Sequence, residues 1–136
     1  MSDPVFGRAW RINREESVFA GSPAPAVETR IYEKVGEGYK LTVCGSRDGE
    51  AYEWGYTVGE DGVSCPVHGR SDVDAIEKHR VTDFITIGSF TKRGEIVASY
   101  RREVSPDGQD LTVVAAGSLE GGATYFDVLR YDPMEQ

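Results

Sequence analysis

Along most of this chain apolar and polar residues alternate with a period of two, the pattern of a strand with one buried face. Tyr39, Leu41 and Val43 fall on one face, against Lys40, Thr42 and Cys44 on the other. Tyr52, Trp54, Tyr56 and Val58 oppose Glu53, Gly55 and Thr57. Val63, Cys65 and Val67 point inward in this reading and leave Ser64, Pro66 and His68 outward. Phe84–Phe90 is apolar on both faces, so periodicity cannot orient it. The pattern predicts strands at Thr29–Val35, Tyr39–Gly45, Ala51–Val58, Val63–His68, Ala75–Val81, Phe84–Phe90, Ile96–Val104, Leu111–Ala116 and Thr124–Tyr131.

Turn signals separate these stretches: Gly36-Glu37-Gly38, Asp48-Gly49, Asp61-Gly62, Ser71-Asp72, Thr82-Asp83, Arg93-Gly94, Pro106-Asp107-Gly108 and Gly121-Gly122. Gly and Asp accept the positive φ of tight hairpins, and strands at this even spacing characterise all-β sandwiches and barrels. Tight turns make sequence neighbours antiparallel, and a long meander loses its exposed edges by closing. The expected fold is therefore all-β, an antiparallel up-and-down β-barrel of about nine strands in a single domain spanning 1–136. Before it, residues 1–27 read as an N-terminal arm without a helix. Trp10 would plug one end of the barrel, and Ser22-Pro23-Ala24-Pro25 is a connector unable to join a central strand.

Composition narrows the function. The chain has 136 residues, with 15 basic and 23 acidic side chains and a formal charge of −8. No basic patch suits nucleic acid, and the acidity disfavours an anionic membrane surface. The opening residues carry scattered charges and no apolar h-region, so the chain reads as cytoplasmic. Its two cysteines then read as free thiols. No nucleophile elbow, phosphate loop or metal spacing is present, and no cofactor or metal is expected.

Several residues stand out as candidate chemistry. Cys65 and His68, with Cys44 and His79, are soft ligands, but strand residues three apart face opposite ways and cannot share a metal without a bulge. Arg101 and Arg102 are adjacent, so one must point inward. Arg102 shares its face with Ile96, Ala98, Tyr100 and Val104, the apolar face. A guanidinium there needs a structural carboxylate or an anionic ligand group. Tyr52, Trp54 and Tyr56 bring two hydroxyls and an indole N–H to one face, and polar tips of that kind suit a cavity wall better than a dry core. Tyr125, Asp127, Leu129 and Tyr131 share a face opposite Phe126, Val128 and Arg130. Asp127 can be an acid or base, or the partner of Arg102.

The chain resembles a family of small bacterial lipocalin-like proteins. The resemblance rests on Trp10-Arg11-Ile12-Asn13 with Ser17, Tyr32, Asp61-Gly62 followed by Pro66-Val67 and Gly69, and Asp72 with Asp74 ahead of Arg80. It is strongest from Arg101 to Val113 and ends at Val128 and Tyr131. It covers nearly the whole chain and implies a calycin-type barrel that holds a small apolar ligand. It also implies an interior Lys78, a buried ammonium with a lowered pKa, where family members usually carry an apolar residue. An exposed edge strand with Lys78 as gatekeeper is the alternative.

Two functions follow as expectations. In the first the barrel binds a small apolar or aromatic molecule, with Tyr52, Trp54, Tyr56, Tyr100 and Cys65 as wall and Arg102 as polar anchor. In the second, a cofactor-free isomerase, cyclase, lyase or hydratase uses Asp127 or Lys78 as acid/base, with Tyr56 donating to developing charge. A filled barrel serving as a structural protein is the third possibility.

Overall fold

The computed structural model describes residues 5–21, 24–118 and 122–134. Ser22 and Pro23 of the expected connector and Gly121 of the last turn signal lie outside them. The strands are β1 (Ala9–Ile12), β2 (Val18–Ala20), β3 (Val27–Val35), β4 (Gly38–Arg47), β5 (Glu50–Val58), β6 (Cys65–His68), β7 (Ala75–Arg80), β8 (Ile85–Lys92), β9 (Glu95–Val104), β10 (Leu111–Ser118) and β11 (Thr124–Pro133). From β3 to β11 each strand pairs antiparallel with the next, and β1 pairs with both β3 and β11. Ten strands thus form a closed antiparallel barrel, with β2 outside the ring. Among the described residues no helix is long and apolar enough to cross a membrane.

Two hairpins show how local sequence sets this path. The turns after β4 and β8 have two central residues each, Asp48-Gly49 and Arg93-Gly94. All four have positive φ (54° and 80°, 53° and 82°). Positive φ at both positions matches the right-handed twist of the flanking strands.

The N-terminal arm is corrected in one respect. It contains a barrel strand, because Trp10 pairs with Pro133 on one side and Arg30 on the other. β2 continues the same line along β11, from Val18 opposite Val128 to Ala20 opposite Phe126. Between them residues 13–17 leave the sheet. Asn13 N still donates to Arg130 O (2.7 Å), and Arg130 N donates to Ser17 Oγ (2.9 Å). The serine hydroxyl thus satisfies a backbone donor that the excursion would otherwise leave bare.

Three further expectations are corrected. Val63 precedes β6 and is 46% exposed. Ile96 is 70% exposed because the register shifts between Phe90 and Thr91, which pair with Ala98 and Ile96 and leave Val97 as an extra residue. β7 is an interior strand paired with β6 and β8, so Lys78 is buried and is not an edge gatekeeper.

One end of the barrel is packed shut. Val5 and Trp10 are 0% exposed there, with Val58, Val104 and Leu111 around them. Trp10 Nε1 donates to Val5 O (3.2 Å), Arg8 Nη1 donates to Gly108 O (2.8 Å), and Phe6 packs on Tyr39. At the same end Lys78 Nζ donates to Asp61 Oδ1 (2.7 Å), so the interior lysine meets a loop carboxylate.

Candidate functional site

The other end opens into a cavity of about 440 Å³ inside the barrel. An eight-stranded barrel is just filled by its side chains or holds one small ligand, and diameter grows with strand number. Ten strands leave room. The mouth carries Arg47 at the β4–β5 turn, Gly69, Arg70, Ser71 and Asp72 between β6 and β7, and Tyr125 on β11.

A repeated cross-strand pair keeps the wall flat. Gly45 pairs with Tyr52, Gly88 with Tyr100, and Gly117 with Tyr125. A Cβ added at these glycines would lie 2.6, 2.8 and 2.8 Å from the respective phenol oxygens. Each tyrosine ring therefore lies over a bare backbone, pressed against the wall instead of projecting across the cavity. This is the aromatic shielding of glycine also used to stiffen designed sheets.

The aromatic wall continues from these rings. Trp54 lies 6.2 Å from both Tyr56 and Phe90, and Phe90 lies 5.6 Å from Tyr100. Burial pushes the Tyr39, Tyr56 and Tyr100 phenols above the ordinary tyrosine value, so all three stay protonated at neutral pH. The hydroxyls of Tyr39 and Tyr100 come near one another without reaching hydrogen-bonding geometry.

Polar groups interrupt this wall at two depths. Deep in the barrel, Arg102 is 2% exposed, donates from Nη2 to Thr86 Oγ1 (3.1 Å) and lies over the rings of Tyr32 and Tyr39 (4.8 and 5.2 Å). Arg101 points out and pairs with Glu103 (2.9 Å). The two adjacent arginines thus face opposite ways on β9, as alternation along a strand requires. Nearer the mouth, Glu28 accepts from Arg30 Nε (3.2 Å), from the Tyr52 hydroxyl (2.8 Å) and from the Tyr131 hydroxyl. Burial first, and then the adjacent Glu28 carboxylate, raises the Tyr52 phenol far above its ordinary value. Arg70 Nε and Nη2 donate to the two oxygens of Asp72 (2.8 and 2.5 Å). The Arg70 guanidinium also covers Trp54 and Phe90, 4.6 and 5.3 Å from the ring centres.

The expected site residues are distributed as follows. Tyr52, Trp54, Tyr56, Tyr100, Arg102 and Asp127 all line the cavity. Asp127 is 7% exposed and accepts from Ala20 N (3.3 Å). Cys65 packs against the core but is not a lining residue, and its thiol donates to Val63 O (3.7 Å). Lys78 lies at the packed end, engaged with Asp61, away from the cavity. Cys65 and His68 fall on opposite faces of β6, and among the described residues no group of three His, Cys, Asp or Glu side chains could hold a metal. Both cysteines are free.

Sequence reasoning missed Glu28, Arg30, Arg47, Arg70 and Asp72. The signal for Arg30 was present, since it alternates with Tyr32 on β3, but the opposite face carries Ile31 and Val35 and masked it. Arg70 and Asp72 sit in a loop, where periodicity says nothing. Searches against protein-family models, curated proteins and solved structures each found no match to this chain.

Proposed function

We propose that this protein is a small-molecule binder of the calycin type, lipocalin-like, taking one flat aromatic ligand through the open end of the barrel. The observation that carries this reading is the cavity of about 440 Å³ walled by Tyr52, Trp54, Tyr56, Phe90 and Tyr100. Pockets for drug-sized molecules begin at about 300 Å³ and are mostly apolar with a few placed polar groups. Aromatic rings offer faces for stacking, and Arg102 supplies a donor at the inner end.

The test is a fluorescence titration with a flat aromatic dye such as 1-anilinonaphthalene-8-sulfonate. One equivalent should quench the indole emission. The quenching should vanish in Trp54→Phe, while Trp10, at the packed end, keeps its emission. Saturation without any effect on Trp54 emission would remove the reading's support.

A second reading is favoured by Asp127, a carboxylate lining a cavity that also presents the Tyr56 and Tyr100 phenols, which burial keeps protonated. It is a cofactor-free isomerase, cyclase, lyase or hydratase, with Asp127 as base and Tyr56 as donor to developing negative charge. Lys78, held by Asp61, has no part in it. Turnover of a bound compound that disappears in Asp127→Asn, with affinity retained, would favour this reading over simple binding.

A further inference from the structure

The chain carries 23 acidic and 15 basic side chains, yet the cavity wall reverses that balance. Its ionisable carboxylates are Glu28, Asp72 and Asp127, and its cations are the four arginines 30, 47, 70 and 102. The cavity is a locally cationic inclusion in an acidic protein, a distribution that raises the local concentration of anions. Two of these arginines, Arg30 and Arg70, contrast in where the partner carboxylate lies. Arg30 is bound to Glu28, and both side chains are under a tenth exposed. Asp72 is 59% exposed, while Arg70 is 22% exposed. An ion pair with so exposed a carboxylate costs little to break.

Resting on the small-molecule reading above, we propose that the ligand is an aryl carboxylate whose anionic group displaces Asp72 from the fork of Arg70. The chemistry is visible in the pair itself. Nε and Nη2 already hold two carboxylate oxygens side-on, the bidentate geometry a guanidinium offers to a planar carboxylate. The same guanidinium lies over Trp54 and Phe90. The aromatic wall continues inward from these two rings to Tyr56 and Tyr100, so an aromatic body against the deeper rings brings an attached carboxylate up to the fork. Asp72 acts as an internal stand-in for the ligand's anionic end, holding Arg70 over the mouth until it is exchanged.

The proposal predicts opposite outcomes from an ordinary structural role. Binding of 2-naphthoate and its neutral isostere 2-naphthamide is measured by calorimetry on the native protein, on Asp72→Asn, on Arg70→Gln and on the double variant. Circular dichroism checks the fold of each. The native protein should prefer naphthoate by about tenfold, the worth of one strong charge-assisted contact. Asp72→Asn removes the competitor and should tighten naphthoate by roughly two- to fivefold, the scale of an exposed ion pair, leaving naphthamide unmoved. Arg70→Gln should abolish the preference, and in that background Asp72→Asn should do nothing. If Arg70→Gln does not fold, Arg70→Lys serves, since it keeps the charge and loses the fork.

Weaker naphthoate binding in Asp72→Asn would overturn the proposal by showing that the carboxylate only supports the mouth. Equal tightening in both backgrounds would overturn it by showing a general charge effect. Equal affinity of the native protein for the two compounds would overturn the proposal and leave the small-molecule reading standing. If neither compound binds while the dye still does, this inference falls and the small-molecule reading stands; if the dye fails as well, both fall.

Discussion

The two ends of the barrel are built from the same strands and solve opposite problems. At the packed end, Val5, Trp10, Val104 and Leu111 are essentially without exposure, and the interior Lys78 reaches out to a loop carboxylate. At the open end, Arg47, Arg70 and Asp72 stand at the mouth with the Glu28–Arg30 pair and Asp127 on the wall, and Arg102 lies deeper. Burying charge is costly unless it is paired, so a barrel evolved for stability alone would fill both ends alike. The open end instead keeps a cavity whose wall is flattened by three tyrosine–glycine pairs. The contrast separates residues that hold the fold from residues that hold a guest.

The sharpest way to break this contrast is to truncate one tryptophan at each end. Trp10→Ala should cost about 3–5 kcal/mol in urea denaturation, as for a fully buried aromatic, and leave dye affinity unchanged. Trp54→Ala should abolish dye affinity and cost less than about 2 kcal/mol, because the indole is only half-buried. If the two variants were equally destabilised and dye binding survived Trp54→Ala, the cavity wall would be ordinary core.

Glu28 tests whether the charged belt is also structural. Glu28→Gln leaves the Arg30 guanidinium buried without its carboxylate, and breaking one side of a buried pair costs about 3 kcal/mol. A loss below about 1 kcal/mol in chemical denaturation would mean that Tyr131 and Tyr52 satisfy the site without the charge.

Arg102 and Arg101 form a smaller, internal comparison. Arg102→Met should alter ligand affinity or stability by more than about 1 kcal/mol, and Arg101→Met by no more than about 0.5 kcal/mol. Equal effects would contradict the opposed faces of β9.

The smallest effect belongs to Asp61 and is a matter of pH. Its hydrogen bond from Lys78 holds the carboxyl below the usual aspartate value. A lowered folded pKa gives stability that is present above the unfolded value of about 4 and is lost as pH falls through the folded value. Asp61→Asn should therefore lose about 1 kcal/mol at neutral pH, the exposure of Asp61 limiting the gain. The gap from the native protein should close below about pH 4. A gap that stayed constant from pH 7 to pH 3 would assign the effect to the loop and not to the ion pair.

How far the chain could be read without coordinates depended on whether periodicity applied. Tyr52, Trp54 and Tyr56 alternate with polar residues, and Arg102 sits between Tyr100 and Val104, so the inner wall was readable from spacing alone. Lys78 was ambiguous because β7 is short and charged on both faces, and its partner Asp61 comes from a loop with no periodic signal. β1 and β2 span 4 and 3 residues, too few for alternation to register, which hid the closing strand. The Arg70–Asp72 fork and the Glu28 hub depend on neighbours brought together by closure, and no local pattern announces them.

Closure itself carries a kinetic consequence. The strands from β3 to β11 join nearest neighbours through short connections, contacts that a chain makes quickly. The seam differs, since Trp10 must find Pro133 and Arg30 together. Contacts so remote in sequence slow folding, and until they form the outer backbone of β3 and β11 remains an open template for another chain. Of the barrel's own strands, the one synthesised first is thus the last to find its place, and solubility during synthesis depends on how soon it does.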